Sequence, residues 1–350
     1  MKTLSVLIPC YNEEHTIAQV LARVEAAPVP GGWQKELVIV DDGSTDGTRA
    51  ILARSAHKVI LRAENGGKGA AVKDALRAAT GEYCIIQDAD LEYDPKDYVA
   101  LINALDDAHP VVFGSRLMGH NPYFSRVYVL GSKVITAFFN LLFGTHVSDL
   151  TTCYKLFPRA LAPAIMRHNA DGFVFDAVYL SYELAQGGAI REVPITYHPR
   201  TRSEGKKVSA LDGVRCLVAM VELKFGQLAR FLFVGGGAFV INLCVLWLLA
   251  GALHMYYLVA AGLSFCAAFA FNFLLQKFWT FKTHLRHAAK EMPAFLVMQL
   301  IINLGLNTVF LYVLVHYVHV HYLAAQAALS IIFAVVTYGI SKHAIFTARA

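Results

Sequence analysis

The chain has 350 residues, 56% of them hydrophobic and 16% charged, with a net charge of +5. That length accommodates two domains. No run of Lys and Arg interleaves with aromatics, which argues against a nucleic-acid partner, and the six cysteines are scattered without a CxxC pair, which argues against a zinc site or a disulfide framework.

The charge is unevenly placed. Residues 1 to about 210 carry most of the acids, whereas from Phe231 onward the sequence is overwhelmingly apolar. The first run, Leu4–Ile8, is too short for a secretory leader and stops at Pro9, so the front domain is expected to stay in the cytosol. Leu4–Ile8, Leu37–Val40, Val59–Leu61, Tyr83–Ile86 and Val111–Phe113 read as short buried strands. Helical patterns alternate with them at 14–26, 46–55, 68–79 and 96–107. That alternation predicts an α/β domain with a mostly parallel, doubly wound sheet, whose ligands bind beyond the carboxyl ends of the strands.

A polar motif stands at each of those ends: "PCYNEE", "DDGSTDGT", "NGGKGAA", "DADLE" and "GSR". "NGGKGAA" lacks the spacing of either GxGxxG or GxxxxGK[ST], so a tight turn into a helix remains an equal reading. In "QDADLEYDP" (87–95) the acids Asp88, Asp90 and Glu92 occupy alternate positions after an apolar run. Strand-like alternation would send all three to one point, as hard oxygen ligands for Mg²⁺ or Mn²⁺. A solvated loop with Pro95 opening a helix is the competing reading. Five polar motifs at five successive strand ends form a site.

Segment 127–143, "VYVLGSKVITAFFNLLF", is apolar with Ser132 and Lys133 polar near its start. It reads as an interfacial helix or as a buried core helix; 211–228 is a second candidate for the interface. Four uncharged apolar stretches follow at about 231–253, 258–276, 295–315 and 322–340, each near the ~20 residues that span a bilayer. The loop Lys277–Glu291 holds Lys277, Lys282, Arg286 and Lys290; Arg230 precedes the first span, and Lys342 and Arg349 follow the last. The remaining connections, around 254–257 and 316–321, have no Lys or Arg, so both termini and the middle loop are expected in the cytoplasm. The basic surplus beside such sequence suggests anionic lipid headgroups.

This half repeats itself at an offset of 65: Asn242 with Asn307, His254 with His319, Tyr257 with Tyr322, Lys277 with Lys342, Phe281 with Phe346. Duplication of a helical hairpin is the preferred reading. Gln299, Asn303 and Asn307 share a helix face and read as interhelical hydrogen-bond partners or as a polar track for a headgroup. His316, His319 and His321 read as interfacial packing rather than a metal site.

"IPCYNEE", "VIVDDGSTDGT", "NGGKGAAV", "DADLEYDP", "VVFGSR", "SDLTTCYKLFPR" and "VPITYHPRTRSEGKKVS" together resemble the family 2 glycosyltransferases of the GT-A fold, specifically the polyprenyl-phosphate hexose synthases related to dolichol-phosphate mannose synthase. The repeated half resembles the GtrA-like membrane domain. Two departures stand out: Glu92 replaces the family's usual Gln, and Lys206 replaces a serine, leaving Lys207 at the family's lysine position.

The resemblance implies a Rossmann-like GT-A domain over 1–210, a linker or interfacial helix over 211–228, and an all-α four-span domain over 229–350. It implies that Pro9, Tyr11, Glu13, Ile39 and Asp41 seat the base and ribose of a GDP- or UDP-hexose, with Ala89 beside them. Asp88, Asp90 and Glu92 would hold Mg²⁺ or Mn²⁺ against the diphosphate, with Arg116 assisting on phosphate. Arg126, Arg200, Arg202 and Lys207 are the candidate cradle for a polyprenyl monophosphate acceptor, with Asp149 as a weak base or an orienter of those cations. One inverting attack would give a β-linked lipid phosphate sugar at the cytoplasmic (inner) membrane, from an enzyme of more than one copy. A processive polysaccharide synthase is disfavoured because QxxRW is absent, a nucleotidyltransferase because "PCYNEE" lacks a lysine-rich loop, and a lipid transporter with a sensor domain because the acids, arginines and lysines are all kept.

Overall fold

The first apolar run becomes β1 (Lys2–Cys10), buried from Leu4 to its end. The computed structural model describes residues 1–122, 126–200, 209–283 and 287–347. Their contacts divide them into two units, Met1–Val221 and Glu222–Ala350. In the first unit β1 is followed by α1 (Ile17–Ala26), β2 (Trp33–Asp41), α2 (Thr48–Leu52), β3 (Lys58–Leu61), α3 (Lys68–Ala78) and β4 (Tyr83–Ile86). Then come α4 (Tyr98–Asn103), β5 (Val111–Ser115), α5 (Arg126–Phe143), β6 (Lys155–Pro158), α6 (Ala162–Ile165), α7 (Ser181–Gly187) and β7 (Ile190–Pro194).

The seven strands form one sheet in the order β3-β2-β1-β4-β6-β5-β7. The pairs β1–β2, β1–β4, β2–β3 and β5–β7 are parallel, while β6 runs antiparallel to both β4 and β5. The expected parallel, doubly wound sheet is therefore present with one reversed strand in its middle. β1, β4 and β5 carry Leu, Ile, Val and Phe that are wholly buried. Near-continuous apolar runs of this kind mark strands covered on both faces. Each such side chain contributes about 1.5–3 kcal/mol on burial.

Helix α5 resolves the two readings of segment 127–143. Ile135, Thr136 and Phe139 face inward and are buried, and Thr136 Oγ1 accepts a hydrogen bond from Leu150 N (3.1 Å). Val127, Leu130, Val134 and Leu141 are exposed on the other side. The helix is thus apolar on both faces, with only one of them covered by its own unit. The next helix, α8 (Ala210–Leu246), runs unbroken through 211–228, the stretch expected as a linker or an interfacial helix. Leu211, Val214, Val218 and Val221, at helical spacing, leave a second exposed apolar stripe on it.

In the second unit α8 is followed by α9 (Tyr257–Leu275), α10 (Ala288–Gln299), α11 (Asn307–His316) and α12 (Tyr322–Ile340). Four stretches among the described residues are long and apolar enough to cross a membrane: Ala210–Ala252, Tyr257–Thr280, Ala288–His316 and Ala324–Ile345. α9 and α12 each have 19 residues and run directly into π-helical turns, Gln276–Thr280 and Ser341–Ile345. They are preceded by His254 and His319, both at positive φ (50° and 59°). Each of these features recurs 65 positions later in the chain. Phe281 and its counterpart Phe346 stack on each other, centroids 4.9 Å apart, in a core with Phe231, Phe273, Phe295 and Phe333. All six cysteines are free.

Candidate active site

Hydrogen bonds between neighbouring strand-end loops build the floor of the site. Asn12, at φ 53°, donates its N–H to Ser44 Oγ (2.9 Å) and accepts from Thr45 N (2.8 Å). Glu13 N donates to Thr48 Oγ1 (2.9 Å), and Glu14 accepts from Gly47 N (2.7 Å). "PCYNEE" is in this way tied to "DDGSTDGT". The Asp42 carboxylate then accepts from Gly66 N (3.0 Å) and Gly67 N (2.7 Å), tying "DDGS" to "NGGK". Gly67 sits at φ +86°, and a Cβ there would lie 2.9 Å from Gly172 N, so only glycine fits.

These loops, α5 and the first turn of α8 enclose a cavity of about 1130 Å³. Pro9, Tyr11, Glu13, Asp88, Ala89, Asp90, Glu92, Arg116 and Arg200 all line it, as the sequence led us to expect. Two expected base-site residues do not. Ile39 and Asp41 are wholly buried, and Asp41 Oδ2 accepts from Arg49 Nε (2.7 Å) and Ser44 N (3.2 Å). Asp42, one residue on, is the acid at the wall. Arg126 opens α5, but its side chain lies outside the described residues, as do Arg202 and Lys207.

The alternate spacing of the three acids does not put them on one face. β4 ends at Ile86, and the chain turns through Leu91 at φ 63°. Positive φ is costly for a residue with a Cβ and clusters at functional turns. The turn directs Glu92 elsewhere: one oxygen accepts from Tyr197 OH (2.8 Å) and the other from Arg200 N (2.8 Å). Glu92 thereby fastens the segment leading to Arg200 onto the acidic loop. Asp90 Oδ2 is 3.0 Å from Arg200 Nη2, and Arg200 also bonds both Glu13 oxygens at 3.3 Å. Burial, then the nearby charges of Asp88 and Glu92, push the Asp90 carboxyl up to about 7, against the pull of Arg200.

Asp88 belongs to a second network that the sequence reading missed. Lys68 Nζ lies 2.7 Å from both Asp88 Oδ1 and Asp176 Oδ2. Asp176, at the start of a π-helical turn (Phe175–Leu180), also takes the buried Lys155 Nζ at 2.9 Å. Burial works to strip Lys68 of its proton, but Asp176 and Asp88 outweigh it and hold its pKa well above the usual lysine range. For Asp176 burial is likewise outweighed, here by Lys155 and Lys68, and its pKa falls. Lone charges inside apolar runs, Lys155 in "CYKLF" and Asp176 in "FVFDAV", were the available signal. Charges rarely enter such runs unpaired.

Arg116 and Asp149 form the third element. Arg116 Nε and Nη2 bond the two Asp149 oxygens at 2.7 Å each, the backbone N of Arg116 adds a third bond (3.1 Å), and Thr151 Oγ1 takes Nη2 at 2.7 Å. Ser132 of α5 reaches the same hydroxyl at 2.7 Å, which pins α5 to the site. Burial of Asp149 is outweighed by Arg116, and its pKa drops below the usual carboxylate range. A wholly buried, doubly bonded carboxylate of this kind is an orienter of Arg116 and a poor proton acceptor.

Among the described residues, no three Asp, Glu, His or Cys side chains converge as a ready-made metal cage. Asp88 and Asp90 nevertheless give hard oxygen donors on the cavity wall. Mg²⁺ and Mn²⁺ sites need only one or two protein carboxylates when waters and substrate phosphates complete the shell. The pair fits such a cation; Glu92, with both oxygens engaged, does not join it in this arrangement. Cation binding must displace the Asp90 proton. We expect Mn²⁺ affinity, read by calorimetry in buffers of different pH, to fall about tenfold per unit below about pH 7. A pH-independent affinity between about 5.5 and 7.5 would exclude Asp90 as a ligand.

Comparison with known proteins follows the same division. Residues 5–165 match the family described as "Glycosyl transferase family 2", and residues 230–346 match "GtrA/DPMS, transmembrane domain". The low-salt glycan biosynthesis hexosyltransferase Agl6 of Haloferax volcanii is 33% identical over 220 residues, 61% of this chain and 52% of that protein. The glycosyltransferase AglJ of the same organism is 30% identical over 198 residues, 56% of this chain and 63% of that protein. The chain thus spans between half and two thirds of these curated relatives. Crystal structures of Mycobacterium tuberculosis glucosyl-3-phosphoglycerate synthase share the fold at a TM-score of 0.50 over 64% of this chain. One holds Mn²⁺, UDP and glucosyl-3-phosphoglycerate (23% identity, 80% of that chain), and another Mn²⁺ and UDP-glucose (22%, 79%).

Proposed function

We propose that this chain, which joins a family 2 glycosyltransferase domain to a GtrA/DPMS transmembrane domain, transfers a hexose from a nucleoside-diphosphate sugar to a polyprenyl monophosphate. The observation that carries the reading is the mixed lining of the cavity. Asp88, Asp90, Lys68 and Arg200 line it together with Val127, Tyr128 and Ile135 of α5, a helix whose outer face is exposed and apolar. A soluble acceptor would have no use for such a helix. A lipid phosphate needs both ends at once.

A Mg²⁺ or Mn²⁺ held by Asp88 and Asp90 would neutralise charge that grows on the nucleoside-diphosphate leaving group. Lys68 and Arg200 face the same region with fixed positive charge. The acceptor phosphate, whose second pKa is about 6, is largely ionised at neutral pH. It therefore requires cationic positioning rather than a base, which agrees with an Asp149 locked onto Arg116. An acceptor oxygen bonds to the anomeric carbon as the bond to the diphosphate breaks, the electron pair leaving with the diphosphate. One such displacement inverts an α-linked donor to a β-linked product. Pro9, Tyr11, Glu13 and Asp42 are proposed to contact the nucleoside. We further propose that the front unit and both termini face the cytoplasm, where nucleotide sugars are made.

The test is a donor screen with the purified full-length chain, polyprenyl phosphate and Mn²⁺, following label into lipid, polymer and free sugar. We expect label in a mild-acid-labile lipid with one donor clearly preferred. Label in polymer would favour a processive synthase, and label only in free sugar would remove the lipid acceptor.

A further inference from the structure

The two repeats of the membrane unit end differently, and the difference points to a ligand. Lys277, in the first, is wholly buried and paired with Glu291, with Thr283 Oγ1 also at hand (3.3 Å). Lys342, its counterpart 65 positions on, has no carboxylate partner among the described residues. It stands exposed with its ammonium 5.8 Å from the centre of the Tyr338 ring. A second cation, Arg230, stands on the helix face that contacts the same ring. Gln227, Arg230 and Phe231 share one face of α8; Gln227 Oε1 accepts from Tyr338 OH (3.0 Å), and Phe231 packs on Tyr338 with centroids 5.5 Å apart. Arg230 lies between those contacts, and no ion pair to it exists among the described residues.

Two polar atoms here are buried with no hydrogen-bond partner among those residues, Arg230 Nε and Thr280 Oγ1. Thr280 belongs to the same place, because its carbonyl accepts from Gln227 Nε2 (3.4 Å). Buried donors are rarely left unmatched. Two unpaired cations, a spare hydroxyl and a spare guanidinium N–H at one end of an apolar helical unit match the chemistry of an anionic phosphate ester. Basic pockets between membrane helices take lipid head groups in this manner. We infer that Arg230, Thr280 and Lys342 bind the phosphate of an anionic membrane lipid, which supplies the charge that Glu291 supplies to Lys277. The site is distinct from the glycosyl-transfer cavity and rests on the membrane character of this unit, not on the proposed acceptor.

The test is native mass spectrometry of the full-length chain released from micelles containing phosphatidylglycerol or phosphatidylcholine. We expect phosphatidylglycerol to be retained preferentially. Lys342→Gln and Arg230→Gln should each weaken that retention roughly fivefold, the effect of one basic charge near a headgroup. Lys290→Gln, an exposed lysine on α10, should leave it unchanged. Because Lys342 is exposed, its variant keeps the test usable if Arg230→Gln fails to fold. Unchanged retention in Lys342→Gln, or an equal loss in Lys290→Gln, overturns the site. Displacement of phosphatidylglycerol by millimolar glycerol phosphate would assign the site to a soluble phosphate and overturn the lipid.

Discussion

Asp90→Asn is expected to lower hexose transfer roughly 10²–10³-fold at saturating donor, the usual loss when one electrostatic partner of a developing charge is removed. The amide has the same shape and can still accept from Arg200 Nη2, so the local arrangement should persist. It loses the charge that balances a divalent cation. The substitution also removes the repulsion that Asp88 and Glu92 impose on a half-buried carboxylate, so the metal-free chain should unfold at no lower a temperature than wild type. The protein would then be sound but no longer stabilised by Mn²⁺. Thermal unfolding with and without Mn²⁺, beside the transfer rate, separates this from simple misfolding. Near-wild-type turnover in Mn²⁺ would remove Asp90 from the metal site.

Asp149→Ala should act through stability instead. It would leave the Arg116 guanidinium in a largely buried place with its main partner gone, a change that typically costs about 3–5 kcal/mol. For a unit of this size that is a fall of about 10 °C in Tm. Replacing both partners with apolar residues, Arg116→Met with Asp149→Leu, should recover much of the loss while leaving activity low. The folded-state pKa of Asp149 lies below its unfolded value, so its contribution to stability is present above the ordinary carboxylate range and is lost only as pH falls through the lowered value. Between about pH 5 and 8 the difference in Tm between wild type and Asp149→Ala should stay constant. A wild-type-like Tm for Asp149→Ala would show that the ion pair contributes nothing net.

The strands that could be read from sequence were those that write a continuous apolar run: β1, β2, β4 and β5, where burial imposes it, and β3, whose Val59–Leu61 run was expected to be buried but is only half covered, with Leu61 exposed at the edge of the sheet. β6 opens with Lys155, and β7 reads "IREVP"; their pairing is decided by partners tens of residues away, which leaves no local period. The acids of "DADLE" were legible as chemistry but not as geometry, because nothing in the sequence announces a left-handed Leu91. Asp41 and Asp42 show the sharpest limit. Asp41 is the last residue of β2 and Asp42 the first after it, so a one-residue difference decides which carboxylate meets the cavity. Lys68 and Asp176 stand far apart in the chain and meet only through the fold. The membrane repeat was legible because it is written twice.

The reversed strand has a consequence for the order in which the sheet can be assembled. β1 to β4 find all their mutual partners within the first 86 residues, so that half can zip together early. β5 bonds only to β6 and β7, both made later, and must wait unpaired until residue 155 and beyond exist. Arg116, directly after β5, waits with it for Asp149. Asp88 and Asp90 follow the last strand of the early half, and their counter-ions come from both sides of the delay: Lys68 before it, Arg200 after it. The acids at the centre of the site are therefore also the seam between two stages of folding, and a nascent chain carries them only half compensated until its last strand is in place.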